Sequence, residues 1–269
     1  MVESLPHEEE AFCRMIGKGA RLKTFLSMSA YSLGKTIGIE AASHALHEQF
    51  RAPDAASLPG IRTLRRLAHL SEAQVQTDTG SSHIGKTRSR QFHAAREADA
   101  DAWISVDDDV EISQVTALYL LQALNDYEPR IVVVPTYMRA AAGARPTISI
   151  KPLKVLAERH VGQAHLVACE SGAFGCVGMN RAAMSALVIE ATATGQLSFI
   201  DVDGVAKLAL FHEMIADDVD GKRRWYGEDL AFFRRVPRFV TVEALLAGHS
   251  KHAGALLDLE NEAHFALVP

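Results

Sequence analysis

The 269-residue chain is poor in cysteine, with only Cys13, Cys169 and Cys176. An odd and widely spaced set gives neither a disulfide framework nor the paired spacing of a zinc site, and reads as buried or free thiols in a reducing compartment. Glycine (18) and proline (9) are too few for a collagen-like or low-complexity chain. No repeat of solenoid period is present. Basic charge is not in excess: 28 Lys plus Arg stand against 33 Asp plus Glu, a net charge of −5. That balance argues against a protein that lives by coating nucleic acid, though a local basic patch stays compatible with it. Long apolar runs are missing too. The longest, VTALYLLQAL at 115–124, contains a glutamine and is too short to span a bilayer. The acidic opening MVESLPHEEEAF lacks the apolar stretch of a signal peptide. Together these absences predict a soluble, cytoplasmic protein. What is present, 48% apolar and 23% charged residues, is the composition of a globular chain with a sizeable core.

The apolar patterning alternates strand and helix through the first half. TFLSMSAY (24–31) predicts a strand, Leu33–Phe50 and Ile61–Val75 predict helices, and TDTGSS (77–82) a loop. A helix follows over Thr87–Ala98, a buried strand over AWISV (102–106), a helix over Ser113–Leu124 and a strand over RIVVVPTY (130–137). The second half is richer in strands: His165–Cys169, Ala173–Met179, Leu208–Ile215 and Phe239–Leu246, with helices at Arg181–Thr192 and Glu228–Arg235. Nothing rich in Pro, Gly or Ser separates two domains. The pattern predicts one α/β domain over 23–255, an N-terminal extension (1–22) and a C-terminal tail (256–269).

Three motifs carry chemistry. Asp107-Asp108-Asp109 directly follows AWISV, at the carboxyl end of a strand, where ligands of open α/β sheets bind. Adjacent carboxylates repel unless a cation or several donors neutralise them, so a divalent metal bridging to phosphate oxygens accounts for the cluster; an N-terminal helix cap with two solvated neighbours is the plainer reading. Gly227-Glu228-Asp229 opens the helix LAFFRR, with Phe232 and Phe233 as apolar anchors. Its acids suit a helix N-terminus, and Asp229 also suits a general base on a rigid element. Gly248-His249-Ser250-Lys251-His252 follows the last strand, where a histidine can ligate a metal, bond a phosphate or simply meet solvent.

A fourth pattern competes. Gly80-Ser-Ser-His-Ile-Gly85-Lys86-Thr87 fits the phosphate-cradling G-x-x-x-x-G-K-T loop, and Asp107 could then serve as its magnesium partner. A P-loop NTPase or kinase is therefore one alternative; a metal-dependent nuclease or phosphohydrolase using Asp107 and Asp109 is another. Against the P-loop, the preceding SEAQVQTDT is polar where a buried strand is expected, and nearly eighty residues come before it.

Taken in order, TFLSMSAY, ISVDDDV, GEDLAFFRR and ALLAGH resemble the motifs of nucleotide-sugar glycosyltransferases of the GT-A fold, from about Thr24 to His252. The resemblance implies a Rossmann-like mixed sheet flanked by helices. It also implies transfer of a sugar from a nucleoside diphosphate, UDP favoured, to an acceptor hydroxyl, with Mn²⁺ or Mg²⁺ as cofactor. In its terms Asp109, with Asp107, binds the metal, and His249 (His252 if the register slips) is a further ligand. Asp229 is the base, with Glu228 beside it. Ser27, Ser29, Arg90, Asp107, Asp108, Trp225 and Gly227 meet the nucleotide sugar. The segment Pro53–Gln76 has no counterpart in that pattern. The acceptor stays open among a saccharide, a lipid-linked glycan, a protein and a modified nucleic-acid base. The basic clusters Lys222-Arg223-Arg224 and Arg234-Arg235 flank the expected base and are suited either to an anionic acceptor or to solvent.

Overall fold

The computed structural model describes residues 22–30, 39–51, 57–79, 83–135, 137–138, 147–148, 150–152, 158–161, 164–196, 198–201, 204–218, 220–246 and 266–267. In chain order the elements are β1 (Lys23–Ala30), α1 (Ile39–Arg51), α2 (Pro59–Leu70), β2 (Glu72–Thr79), α3 (Ile84–Glu97), β3 (Ala102–Asp107), α4 (Gln114–Leu124) and β4 (Arg130–Val133). Short strands β5 (Tyr137–Met138), β6 (Thr147–Ile148), β7 (Ile150–Pro152) and β8 (Glu158–Val161) follow, then β9 (Ala164–Gly172), β10 (Cys176–Asn180) and α5 (Arg181–Ala193). The chain closes with β11 (Ser198–Ile200), β12 (Ala206–Leu208), β13 (Met214–Asp217), β14 (Arg223–Tyr226), α6 (Glu228–Phe233), β15 (Thr241–Leu246) and β16 (Ala266–Leu267).

Nine strands form one mixed sheet, in the order β2-β1-β3-β10-β4-β15-β9-β7 with β8 also on β9. The β2, β1 and β3 strands run parallel, β10 enters antiparallel between β3 and β4, and β15 lies parallel to β4. Each central strand is apolar on both faces because helices cover both. One face packs against α1, α2 and α4 through residues such as Leu26, Ile104, Leu64 and Leu120. The other packs against α3, α5 and α6 through Phe25, Trp103, Phe92, Met184 and Phe232. The fold is thus the α/β domain that the alternating pattern predicts, with the mixed sheet flanked by helices that the resemblance implies. The α4 and α5 helices open on side-chain caps: Ser113 accepts from the Thr116 amide and Asn180 from the Ala183 amide. Among the described residues no helix is long and apolar enough to cross a membrane.

Two expected elements divide differently. The helix expected over Ile61–Val75 ends at Leu70, and the chain re-enters the sheet as β2. Its polar sequence is that of the outermost strand, half exposed and paired on one side only. The strand expected over Leu208–Ile215 is split between β12 and β13, because Leu210 and Phe211 leave extended pairing and bury in the aromatic core. The expected N-terminal extension lies outside the described residues save Leu22. Of the expected tail, Ala266 and Leu267 pair parallel with β6.

The α2 helix, for which the sequence pattern offered no role, braces the loop that carries the three aspartates. Gly60 donates its amide to the Asp108 carbonyl (3.0 Å), and Thr63 accepts from Ile112 N–H and donates to the Val110 carbonyl. Arg62 and Arg66 both hold Glu111. A Cβ on Gly60 would come within 2.6 Å of the Asp107 carbonyl oxygen and 2.7 Å of the Met28 sulfur. Gly60→Ala should therefore push the loop off the helix and cost about 1–3 kcal/mol, the usual range for overpacking. Urea unfolding measures this, and an unchanged midpoint would contradict the tight seat of the loop.

Candidate active site

The β1, β2 and β3 strands end together at one edge of the sheet. Register aligns Asp78, Ser29 and Asp107 in a row across them, and in parallel pairing such a row shares a face. That face meets α3. Helical spacing turns Arg88 and Gln91, three residues apart, onto the strand ends together. Both are fully buried. The Gln91 amide nitrogen donates to Asp78 at 2.7 Å and reaches Met28 O and Ser29 Oγ at 3.3 and 3.4 Å.

Arg88 is the centre of the arrangement. Its Nη2 donates to both carboxylate oxygens of Asp107 at 3.0 and 3.2 Å. Its Nη1 donates to Asp229 at 2.7 Å and to Glu228 at 3.5 Å. Residues more than a hundred positions apart thus meet on one guanidinium, whose Cζ lies 5.1 Å from the Phe174 ring centre. The other Asp229 oxygen accepts from the Phe174 amide at 3.1 Å. Beneath lies a cluster of aromatic rings: Phe174 packs edge-on against Phe232, and Phe232 stacks on Phe211 at 4.7 Å. These rings seat the short helix α6 and hence its two N-terminal acids, as the spacing of Phe232 and Phe233 predicts.

Burial is the main reason the Asp107 carboxyl is pushed up to about 6; Arg88 pulls it back down and the neighbouring Asp229 and Asp109 push it further up. Asp229 is raised for the same first reason, against the pull of Arg88 and the Phe174 amide. Arg88 stays charged, since the three carboxylates outweigh its own desolvation.

Within the described residues each expected site residue has a definite place. Asp107, Glu228 and Asp229 converge on Arg88. Asp109 is exposed on the turn beyond β3, and Asp108 is half-buried with its carbonyl held by Gly60. Ser29 ends β1 beside Asp107. Ser27 does not reach the site: it is fully buried, and its hydroxyl accepts from the Trp103 indole at 2.8 Å. Arg90 turns away from Asp107 and pairs with Asp201 at 3.1 Å. The expectation placed there an arginine that the helix supplies two positions earlier, because residues 88 and 91, not 90, share the inward face. Trp225 stands 65% exposed on β14, next to Gly227, where an added Cβ would meet nothing within 4 Å. His249 and His252 lie outside the described residues. Among the described residues no three His, Cys, Asp or Glu side chains gather as a metal cluster. Cys169 and Cys176 are buried free thiols, both pushed up to about 12 by burial, and Cys13 lies outside the described residues.

Arg88 and α2 are the parts that motif reading passed over. A signal for Arg88 existed, since a basic residue inside a helix pattern that must bury its face requires carboxylate partners. The P-loop pattern gains a strand before it and a helix after it, contrary to the polar reading of 71–79. Its packing nevertheless fails that function. A Cβ on Gly85 would lie 1.6 Å from the Phe211 carbonyl oxygen, Lys86 turns to the Phe199 ring, and Thr87 is buried. Moreover β2 is the edge strand, far from the central place of a phosphate-loop strand. Gly80 to Ser82 lie outside the described residues.

No family model matches the sequence, and no curated protein matches it. Among solved structures the chain is similar to the crystal structure of A197 from STIV, at 16% identity and a TM-score of 0.40 over 86% of this chain and 87% of that one. Similarity of that degree assigns no activity.

Arg88→Ala would leave Asp107, Glu228 and Asp229 facing one another without a cation. The expected loss is about 3 kcal/mol, the low end for breaking a buried pair, because the acids keep a quarter to a third of their surface in water. The folded-state pKa values of Asp107 and Asp229, already raised, then move further above the unfolded value near 4. The penalty is therefore full above the folded pKa and fades as pH falls below it. Urea unfolding at pH 5 and pH 7.5 should show the larger deficit at pH 7.5; equal deficits would show that charge repulsion is not its source.

Proposed function

We propose that the chain is a glycosyltransferase that moves a sugar from a nucleoside diphosphate, UDP favoured, to an acceptor hydroxyl. The observation that carries this reading is the meeting of Asp107 and Asp229 on Arg88 at the carboxyl ends of parallel strands. It joins an acidic strand-end turn to a carboxylate of base-like character on a rigid helix. The donor would lie on the exposed side of that junction, toward Ser29, Asp108, Trp225 and Gly227; Trp225 is exposed, and a Cβ on Gly227 would meet nothing within 4 Å.

The donor set fits a hard divalent ion. Asp109 offers exposed carboxylate oxygens on the turn, whereas both oxygens of Asp107 are engaged by Arg88. Mg²⁺ and Mn²⁺ are held through one or two carboxylates and complete their shells with phosphate oxygens and water. Asp109, with Asp107 behind it and His249 or His252 as a further ligand, would hold it. Such an ion would offset the negative charge gathering on the departing diphosphate.

Asp229 is fixed in direction by Arg88 on one side and the Phe174 amide on the other, and burial raises its proton affinity toward the working range of a base. In the proposed step the acceptor oxygen bonds to the anomeric carbon, the bond from that carbon to the diphosphate oxygen breaks, and the acceptor proton passes to Asp229. Direct displacement of this kind inverts the anomeric centre. Glu228, touching Arg88 only at 3.5 Å, has a carboxylate left for a sugar hydroxyl.

The test is a panel of nucleoside diphosphate sugars with Mn²⁺, followed by release of the nucleoside diphosphate. Asp109→Ala should abolish metal-dependent turnover with an unchanged unfolding midpoint. Asp229→Asn should lower kcat by roughly 10²–10⁴, the usual weight of a general base, while donor affinity is retained. A folded Asp109→Ala variant with wild-type turnover would sink the site; lost donor affinity with normal kcat in Asp229→Asn would remove the base assignment.

A further inference from the structure

The basic residues after Asp217 fall into two sets of opposite character. On the β13–β14 hairpin, Lys222, Arg223 and Arg224 are matched by Asp217, Asp218 and Asp220, with Arg224 held at 2.9 and 3.0 Å by the last two. Three cations meet three anions, so this cluster has no surplus for a partner. The second set, just past α6, is different. Arg234, Arg235 and Arg238 line one cavity of about 470 Å³, together with Glu190 and Thr194 from the end of α5 and Gln196 beyond it. Among the described residues none of the three arginines has a carboxylate within ion-pair distance.

What holds these arginines is neutral. Arg234 donates to the Asp217 carbonyl at 3.1 Å and lies 4.3 Å over the Tyr226 ring. Arg235 donates to the carbonyls of His212 and Leu210 at 2.9 and 3.4 Å. Arg238 is exposed, and so is the neighbouring Phe239. Three guanidiniums against the single Glu190 leave the cavity two positive charges in surplus (3 − 1). Arg234 and Arg238 are exposed, so it is half-buried Arg235 that keeps charge partly out of water without a counter-ion among the described residues, and burial loosens its proton. The helix C-terminus explains a preference for one or two cations there. It does not explain three around a shared void.

We propose that this cavity binds a phosphoryl group, supplied either by a small phosphate compound or by a phosphodiester chain. Guanidiniums pair with phosphate oxygens through parallel N–H donors, and the surplus charge matches a phosphate dianion. The cavity is larger than a phosphate and within the range of pockets that take whole ligands. It stands at the far end of the same helix whose first turn carries Asp229, about 9 Å along its axis. The proposal does not depend on the chemistry assigned to the acidic site.

Isothermal titration of the full chain with inorganic pyrophosphate tests it, at fixed ionic strength and without divalent metal. Wild type should give saturable binding, weakened at least tenfold by the double variant Arg234→Gln/Arg238→Glu and unchanged by Asp109→Ala. Arg238→Glu alone, at an exposed side chain with no partner among the described residues, should weaken binding while keeping the unfolding midpoint, which separates lost contact from lost fold. A second arm uses a twelve-residue oligothymidylate: tighter binding than pyrophosphate with the same dependence on the arginines identifies a phosphodiester chain as the source, and oligothymidylate failing where pyrophosphate binds identifies a small phosphate. No saturable binding of either probe, or equal affinity in wild type and the double variant, overturns the proposal.

Discussion

One buried cation organises this molecule's acidic edge. Arg88 is 2% exposed, yet it serves Asp107 from the sheet and Asp229 and Glu228 from the last helix. Removing a guanidinium from water is unfavourable by itself; here three carboxylates and an aromatic face replace its hydration. The balance leaves an excess of negative charge, three acids against one arginine, before Asp109 is added. Burial relieves part of that excess by holding Asp107 and Asp229 closer to protonation than ordinary carboxylates. An edge poised in this way gains from any further positive charge brought to it.

Two helices share the work of keeping the edge in shape, and they do different things. The α3 helix brings charge: Arg88 and Gln91 face the strand ends and fix the acidic side chains. The α2 helix brings backbone complementarity, with Gly60 against the Asp107–Asp108 peptide and Thr63 bonded on both sides of the loop at Val110 and Ile112. A turn held on one side by a helix N-terminus and on the other by a strand end has little freedom, so Asp109 is presented to solvent from a firm base. Ordering of this kind lowers the entropy that a bound ligand would otherwise have to remove.

Much of this was readable from residue order, and the rest failed for identifiable reasons. The strands TFLSMSAY and AWISV and the capped helices after Ser113 and Asn180 follow from local pattern, whereas the meeting of the strand-end acids with the GED helix comes only from the resemblance. The β2 strand escaped because an edge strand is half in water, so its polar alternation mimics a loop. The step between α2 and β2 escaped because Leu-rich spacing runs up to Leu70 without a Gly or Pro to stop it. Arg90 matches the family position by sequence, but Arg88 and Gln91, not Arg90, share the inward face of the helix. Ser27 sits on the strand that the pattern points to, yet its partner, the Trp103 indole, belongs to a neighbouring strand and only register reveals it.

The short α6 helix then acquires a wider meaning. Its N-terminus carries acids that a helix dipole favours and its C-terminus carries arginines that the same dipole favours, so the sequence GEDLAFFRR is locally consistent at both ends. Local consistency accounts for the signs of the charges. It does not account for their partners, which come from elsewhere in the chain: Arg88 answers the acids, while among the described residues no carboxylate answers Arg234 or Arg235. The aromatic stack of Phe211 and Phe232 keeps these two regions at opposite ends of one rigid piece. A ligand that touches one end therefore meets a helix already fixed by the other, and the distance between acids and arginines is set by packing, not by the flexibility of a loop.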